Sequence, residues 1–161
     1  MGIQHLAFGI ETMADFVHRL DVRFRDCDPL GHVNNAVYLT YLEQTRFMHW
    51  RSLWGFGTPQ VPAGMPGVIL ARVECDYRRP ATYGESLEIR LTVGELGRSS
   101  FKYEYEIVDD QGRTVLTAKT VQVMYDYGAE KPVPIPDSIR ALLTGLPTGA
   151  ARRLRSRRSR W

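Results

Sequence analysis

The chain has 161 residues, of which 43% are hydrophobic, 11% aromatic and 24% charged, the make-up of one compact soluble domain. No window nears the roughly 18 consecutive apolar residues of a membrane span, and no basic stretch precedes an apolar run of secretory type, so the expected compartment is the cytoplasm. The net charge of +3 comes from the last twelve residues, which hold six arginines and no acid; residues 1–149 carry fifteen bases against eighteen acids, so no basic nucleic-acid-binding domain is expected.

Residues 1–15 read as an N-terminal extension, 16–147 as the domain and 148–161 as an Arg-rich flexible tail. From Phe16 to Phe24 the apolar positions alternate, with Phe16, His18, Leu20, Val22 and Phe24 on one face, and period two predicts a half-buried strand. The stretch RDCDPLGHVNN packs Asp, Pro, Gly and Asn together and predicts a structured loop with turns. In the following segment Tyr38, Tyr41, Leu42, Thr45, Met48, His49 and Leu53 recur at three-and-four spacing, the stripe of a long helix packed on a sheet. Asn34 or Asn35 is its natural N-cap, and Gly55 with Gly57 its stop.

The Gly- and Pro-rich segment GFGTPQVPAGMPG is long for a connection inside a domain, as functional loops often are. Four strands follow. The first is expected to place Ile69, Ala71, Val73, Cys75 and Tyr77 on one face, the second Leu87, Ile89, Leu91 and Val93, and the third Phe101, Tyr103, Tyr105 and Ile107; the fourth runs from Thr114 to about Tyr125. Turn residues separate them at Pro80 to Gly84, Glu95 to Arg98 and Asp109 to Gly112. A Pro-stiffened crossing and one short helix close the domain. Strand, long helix and four closely spaced strands predict an α+β domain whose antiparallel sheet wraps the helix, and exclude a doubly wound nucleotide fold.

The chemistry concentrates in Asp26 to Asn35. A helix N-terminus offers unpaired backbone N–H groups and the positive end of a dipole, a site for a polarised carbonyl oxygen. The N–H of Asn35 or Ala36 fits that part, and Asp28, held upstream by a Pro-Leu-Gly turn, fits a nucleophile or general base; the same Asp28 also fits a plain turn cap. One carboxylate and one N–H donor suit a thioester, because a thiol with a pKa of about 8.5 leaves with little need of a general acid. GxSxG is absent, and the histidines lack HxxxH or HExxH spacing, so no metal and no cofactor are expected.

These residues resemble the hotdog-fold acyl-CoA thioesterases of the 4-hydroxybenzoyl-CoA thioesterase type. The resemblance runs over most of residues 16 to 136 and rests on DCDPLGHVNNAVYLTYLEQTR, supported by ECDYRRPATYGESLEI, the GRSSF turn and KPVPIP. It implies a hotdog fold with a five-stranded antiparallel sheet around one long central helix, a homodimer or homotetramer with a tunnel between subunits, and acyl-CoA as the small-molecule substrate. It also implies Asp28 as the catalytic carboxylate and the Asn35 backbone N–H as the group polarising the carbonyl. Members with GHVNN, as here, commonly take aliphatic acyl groups.

Around these, His32 is a candidate for orienting substrate or water, or a loop histidine with its bonds met. Arg98 and Ser99 in the GRSSF turn, with Arg78 and Arg79 at a strand end, are candidate contacts for CoA, or ordinary exposed turn residues. Asp26 is expected to accept hydrogen bonds within the loop, and Asn34 to cap the helix. Glu43, the alternative carboxylate of a second hotdog branch, lies about 12 Å along the helix from Asn35 and is expected to pair with Arg46 instead. Cys27 and Cys75 read as reduced thiols. Trp50, Trp54 and Phe56 line either an acyl pocket or the core. The rival functions are an acyl-CoA or acyl-carrier binding module without catalysis, and a hotdog hydratase or dehydratase.

Overall fold

The computed structural model describes residues 16–54 and 66–145. The N-terminal extension, the Arg-rich tail, most of the Gly- and Pro-rich segment and Phe56 therefore lie outside the described residues. Strand β1 spans Phe16–Asp21, helix α1 Asn35–Trp54, β2 Gly67–Tyr77, β3 Ser86–Leu96, β4 Ser100–Asp109, β5 Thr114–Asp126, β6 Lys131–Pro132 and helix α2 Asp137–Leu143. The long strands make one antiparallel sheet in the order β1-β3-β4-β5-β2, with the two-residue β6 added on β5. This is the expected hotdog arrangement with one short strand more.

The helix stripe is buried over five of its seven predicted positions, with Met48 and Leu53 only half-buried. Tyr38, Tyr41, Leu42, Thr45 and His49 face a layer built from Leu87, Ile89 and Leu91 of β3, Phe101, Tyr103, Tyr105 and Ile107 of β4, and Leu116, Ala118 and Met124 of β5. Each fully buried Leu, Ile or Phe side chain in that layer contributes roughly 1.5–3 kcal/mol, and Ile89, with no exposed surface, marks its middle. A charge there would have no partner, so Ile89→Asp would break the domain. No helix among the described residues is long and apolar enough to cross a membrane.

Two local readings are corrected. The first strand stops at Asp21 rather than Phe24, because Val22 N–H turns to the Glu85 carbonyl and a 3₁₀ turn at Phe24–Asp26 closes on the Arg23–Asp26 pair. Phe24 is consequently 80% exposed. In β2 the register against β5 shifts between Leu70 and Arg72, a β-bulge that exchanges the faces on either side of it. Leu70 opposes Gln122 and Val73 opposes Thr120, so Val68 and Leu70, rather than Ile69 and Ala71, share the helix-side face with Val73, Cys75 and Tyr77. The strict alternation read from sequence carried no sign of the extra residue.

β2 is also an edge. Its inner side pairs with β5 along its length, its outer side pairs with nothing among the described residues, and Leu70, Val73 and Tyr77 stay exposed.

Candidate active site

The loop from Asp26 to Asn34 is fixed by backbone bonds before any side chain acts. Asp28 N–H donates to the His32 carbonyl at 2.9 Å, Gly31 N–H to the Asp28 carbonyl at 2.9 Å, and Val33 N–H to the Ala81 carbonyl at 2.9 Å. Gly31 sits at φ 81°, a left-handed conformation that glycine adopts without a Cβ penalty. The bridges Cys27 to Val33 and His32 to Thr82 dock this tight loop against the segment leading into β3.

Asp26 is the anchor. Its carboxylate is 3% exposed as a residue and accepts from Arg23 N–H, Nε and Nη2 at 3.0 Å each and from the Tyr41 hydroxyl at 2.8 Å. Burial pushes its pKa up, but the Arg23 and Tyr41 bonds outweigh that and hold it below the usual carboxylate value. Tyr41 is raised in turn, by burial first and then by the bond to Asp26. The Asp26 carbonyl also takes the Asn34 N–H at 2.9 Å, so one buried residue ties the loop's start to the helix's start. As expected, Asp26 is a loop acceptor; its partnership with Tyr41, a residue of the core stripe, is visible only in the fold.

Asn34 caps α1 through its Oδ1, which accepts the Ala36 N–H at 2.9 Å, as expected. Asn35 N–H donates to nothing among the described residues, while its carbonyl accepts from the Tyr77 hydroxyl at 3.0 Å. The half-buried Asp28 accepts the Leu30 N–H on Oδ1 at 2.9 Å. The turn-cap reading of Asp28 is thus physically present, and it occupies one carboxylate oxygen and leaves the other with no partner among the described residues. His32 is exposed, and its imidazole makes no hydrogen bond among the described residues.

The four other candidates separate. Arg78 and Arg79 lie at the end of β2 that adjoins the helix N-terminus, each donating its N–H to the Val115 carbonyl. Arg78 pairs with exposed Asp76 at 3.6 Å, whereas the Arg79 guanidinium is engaged by Glu85 at 2.7 Å, Asp109 at 3.0 Å and the Pro80 carbonyl at 2.9 Å. Arg98 and Ser99 form the β3–β4 turn at the opposite end of the sheet, separated from the Asp28 loop by the length of β3, roughly 30 Å. Their carbonyls hold Ile135 and Met124, and the exposed Arg98 guanidinium has no partner among the described residues. Glu43 pairs with Arg46 at 3.6 Å, as expected. Trp50 is core, packed edge-on to Phe101. Both cysteines are free. No group of three His, Cys, Asp or Glu side chains among the described residues is placed to hold a metal ion.

Along α1, Asn35, Leu39, Leu42 and Arg46 fall within about 60° of one another on the helix. This second stripe faces β2 across a cavity of about 150 Å³ lined by Leu39, Leu42, Glu43, Arg46, Val73 and Thr120, among others. Sequence reading missed it. Its signal was the recurrence at four, three and four residues from Asn35, obscured because the stripe ends on a charged residue.

Comparison with known proteins identifies the family and agrees with the fold. The model of the thioesterase-like superfamily matches residues 22–143. A thioesterase from Thermus thermophilus, solved with coenzyme A and Zn, is 34% identical with a TM-score of 0.69, covering 81% of this chain and 98% of that one. The 1,4-dihydroxy-2-naphthoyl-CoA hydrolase of Synechococcus elongatus is 29% identical over 80% of this chain and 94% of its own. The long-chain acyl-CoA thioesterase FadM of Escherichia coli is 28% identical over 78% and 94%.

Proposed function

The chain belongs to the thioesterase-like superfamily, and from that premise we propose that it hydrolyses acyl-CoA thioesters to a free acid and CoA, with Asp28 and the Asn35 N–H as the reacting pair. The observation that carries this reading is the pairing of a carboxylate with one oxygen uncommitted among the described residues and a helix N-terminal N–H without an acceptor among them, both hung from the buried Asp26. The thioester carbonyl oxygen accepts from Asn35 N–H, where the helix dipole favours the charge that develops on it. Asp28 either attacks the carbonyl carbon, expelling CoA as a thiolate and forming an anhydride that water then hydrolyses to the free acid, or takes a proton from a water that attacks the carbonyl directly, with CoA leaving as a thiolate as the tetrahedral intermediate collapses. His32, exposed beside Asp28, orients the incoming group.

The active unit is a homodimer. Two observations support this: the outer edge of β2, whose backbone groups are unpaired among the described residues and so available to a second copy, and the separation of Arg98 and Ser99 from Asp28 within one chain. A second copy brings its own Arg98 and Ser99 to the CoA of the first, while Arg78 serves from the same chain and Arg79 acts by holding that strand end in place. The cytoplasm, where CoA thioesters occur and thiols stay reduced, suits Cys27 and Cys75.

The test is thiol release from a panel of acyl-CoAs, wild type against Asp28→Asn. A drop of more than about a hundredfold with unchanged oligomeric state supports a transition-state role. Release by the variant at the wild-type rate removes Asp28 from the mechanism, and no release by the wild type leaves a binding module.

A further inference from the structure

Two loops stand side by side near the N-terminus of α1. One carries Asp28 and closes on itself through the bonds from Asp28 N–H to the His32 carbonyl and from Gly31 N–H to the Asp28 carbonyl. The other, residues 80–84, connects β2 to β3. The second supports the first: Val33 N–H donates to the Ala81 carbonyl at 2.9 Å, and His32 forms a bridge with Thr82. Ala81, with no exposed surface, gives its own N–H to the Tyr38 hydroxyl of α1 at 3.2 Å. The place of Asp28 relative to the helix N-terminus therefore depends on where Ala81 and Thr82 stand.

Thr82 is exposed, so packing alone does not fix it. Glu85 supplies the restraint. Its Oε1 accepts from Thr82 N–H at 3.0 Å and from Thr82 Oγ1 at 2.8 Å, and its Oε2 accepts from Arg79 Nη2 at 2.7 Å. Arg79 is held in turn, because Nη2 also donates to Asp109 at 3.0 Å. Asp109 is 4% exposed and accepts from Arg113 Nε at 2.7 Å and from the Gln111 and Arg113 N–H groups. The Arg79 bond foremost, helped by those from Thr82, outweighs burial and keeps the Glu85 carboxyl below the usual carboxylate value. Glu85 is thus ionised at neutral pH, and its bonds are of the stronger, charge-assisted kind. One of its oxygens is tied to a fixed cation and the other to the residue that bridges His32.

We propose that Glu85 is a positioning residue for the Asp28 carboxylate, acting through Thr82 and His32 and touching no substrate itself. The inference deepens the thioesterase reading and rests on it for the role of Asp28. A misplacement of about 1 Å at a reacting group costs about a hundredfold in rate, so loosening Thr82 lowers kcat and leaves the CoA contacts, and with them KM, in place.

The experiment compares wild type with Glu85→Ala, Thr82→Val and the double variant, all well below their melting temperatures. Amide hydrogen exchange is followed by NMR, and kcat and KM are measured by thiol release from the acyl-CoA that wild type turns over fastest. In Glu85→Ala the N–H groups of Asp28, Gly31 and Val33 are expected to exchange at least tenfold faster, with kcat down at least tenfold and KM within twofold of wild type. Thr82→Val, which deletes only the Oγ1 bond, is expected to shift exchange and kcat in the same direction by less, and the double variant to be no worse than Glu85→Ala, because both changes act on one connection. Unchanged exchange at the three loop amides of Glu85→Ala overturns the inference. So does a lowered melting temperature with kcat at the wild-type value, which marks a purely structural role, and so do losses in kcat that multiply in the double variant. Absence of thiol release from wild type overturns the thioesterase reading and the role of Glu85 in turnover, and exchange then still tells a held loop from a loose one.

Discussion

Replacing Tyr41 by Phe removes one oxygen from the core and one bond from Asp26. The Tyr41 hydroxyl donates to the Asp26 carboxylate at 2.8 Å, both residues are buried, and the phenyl ring that remains offers no replacement donor. A hydrogen bond to a charged group is worth about 1.5–3 kcal/mol, and Arg23 keeps its three bonds to the same carboxylate, so the lower half of that range applies, about 2 kcal/mol. In a domain of this size that lowers the melting temperature by roughly 4–8 °C. The pH dependence follows from the depressed pKa of Asp26. Such a group contributes stability that is present above its unfolded value, about 3.9, and is lost as pH falls through the folded value. Tyr41→Phe removes one of the groups that depress it, so both proteins begin to lose this contribution near the same unfolded value, the variant has less to lose and finishes losing it at a higher pH than wild type, and the two curves converge in acid. Urea unfolding of both proteins from pH 7 down to pH 3 reads this directly. A difference below about 0.5 kcal/mol at pH 7, or one that widens in acid, would refute the assignment of Asp26 as the ionised anchor.

Gly31→Ala forces a Cβ onto a residue at φ 81° and should cost about 1–2 kcal/mol, with kcat/KM falling because the same turn holds Asp28; a thermal melt and the thiol-release assay measure the two effects. Asn34→Ala removes the cap on Ala36 N–H and should destabilise by about 1 kcal/mol, readable in urea, whereas Asn34→Asp should retain most of it. A proline in place of Val73 would place a residue without an N–H in β2; if that edge joins two copies, sedimentation should show monomer, with hydrolysis lost because Arg98 and Ser99 no longer reach the site.

How far the sequence could be read depended on how local each determinant is. The α1 stripe was legible because Tyr38, Tyr41, Leu42 and Thr45 repeat at the spacing of a single element, and the cap at Asn34 because capping needs only adjacent residues. The bulge in β2 was hidden, since a register shift depends on the partner strand and leaves the alternation of Ile69, Ala71 and Val73 looking regular. Arg79 looked like a free cation because its partners, Glu85 and Asp109, come from other segments. Arg46 looked like half of a surface helix pair, and only the fold placed it against Tyr105.

The two aspartates of the DCD motif show why the same residue type reads differently at two-residue spacing. Asp26 faces inward, meets a cation and a phenol, and spends both carboxylate oxygens on them; it has nothing left to offer a substrate. Asp28 faces the loop surface and spends one oxygen on Leu30 N–H. A carboxylate that is to react needs that division, one oxygen fixing its direction and the other uncommitted. If the roles were exchanged, Asp26→Asn would abolish turnover without loosening the fold, and Asp28→Asn would loosen it. The geometry predicts the reverse: Asp26→Asn lowers the melting temperature, while Asp28→Asn melts close to wild type and loses thiol release. Measuring both quantities on both variants separates anchor from reactant.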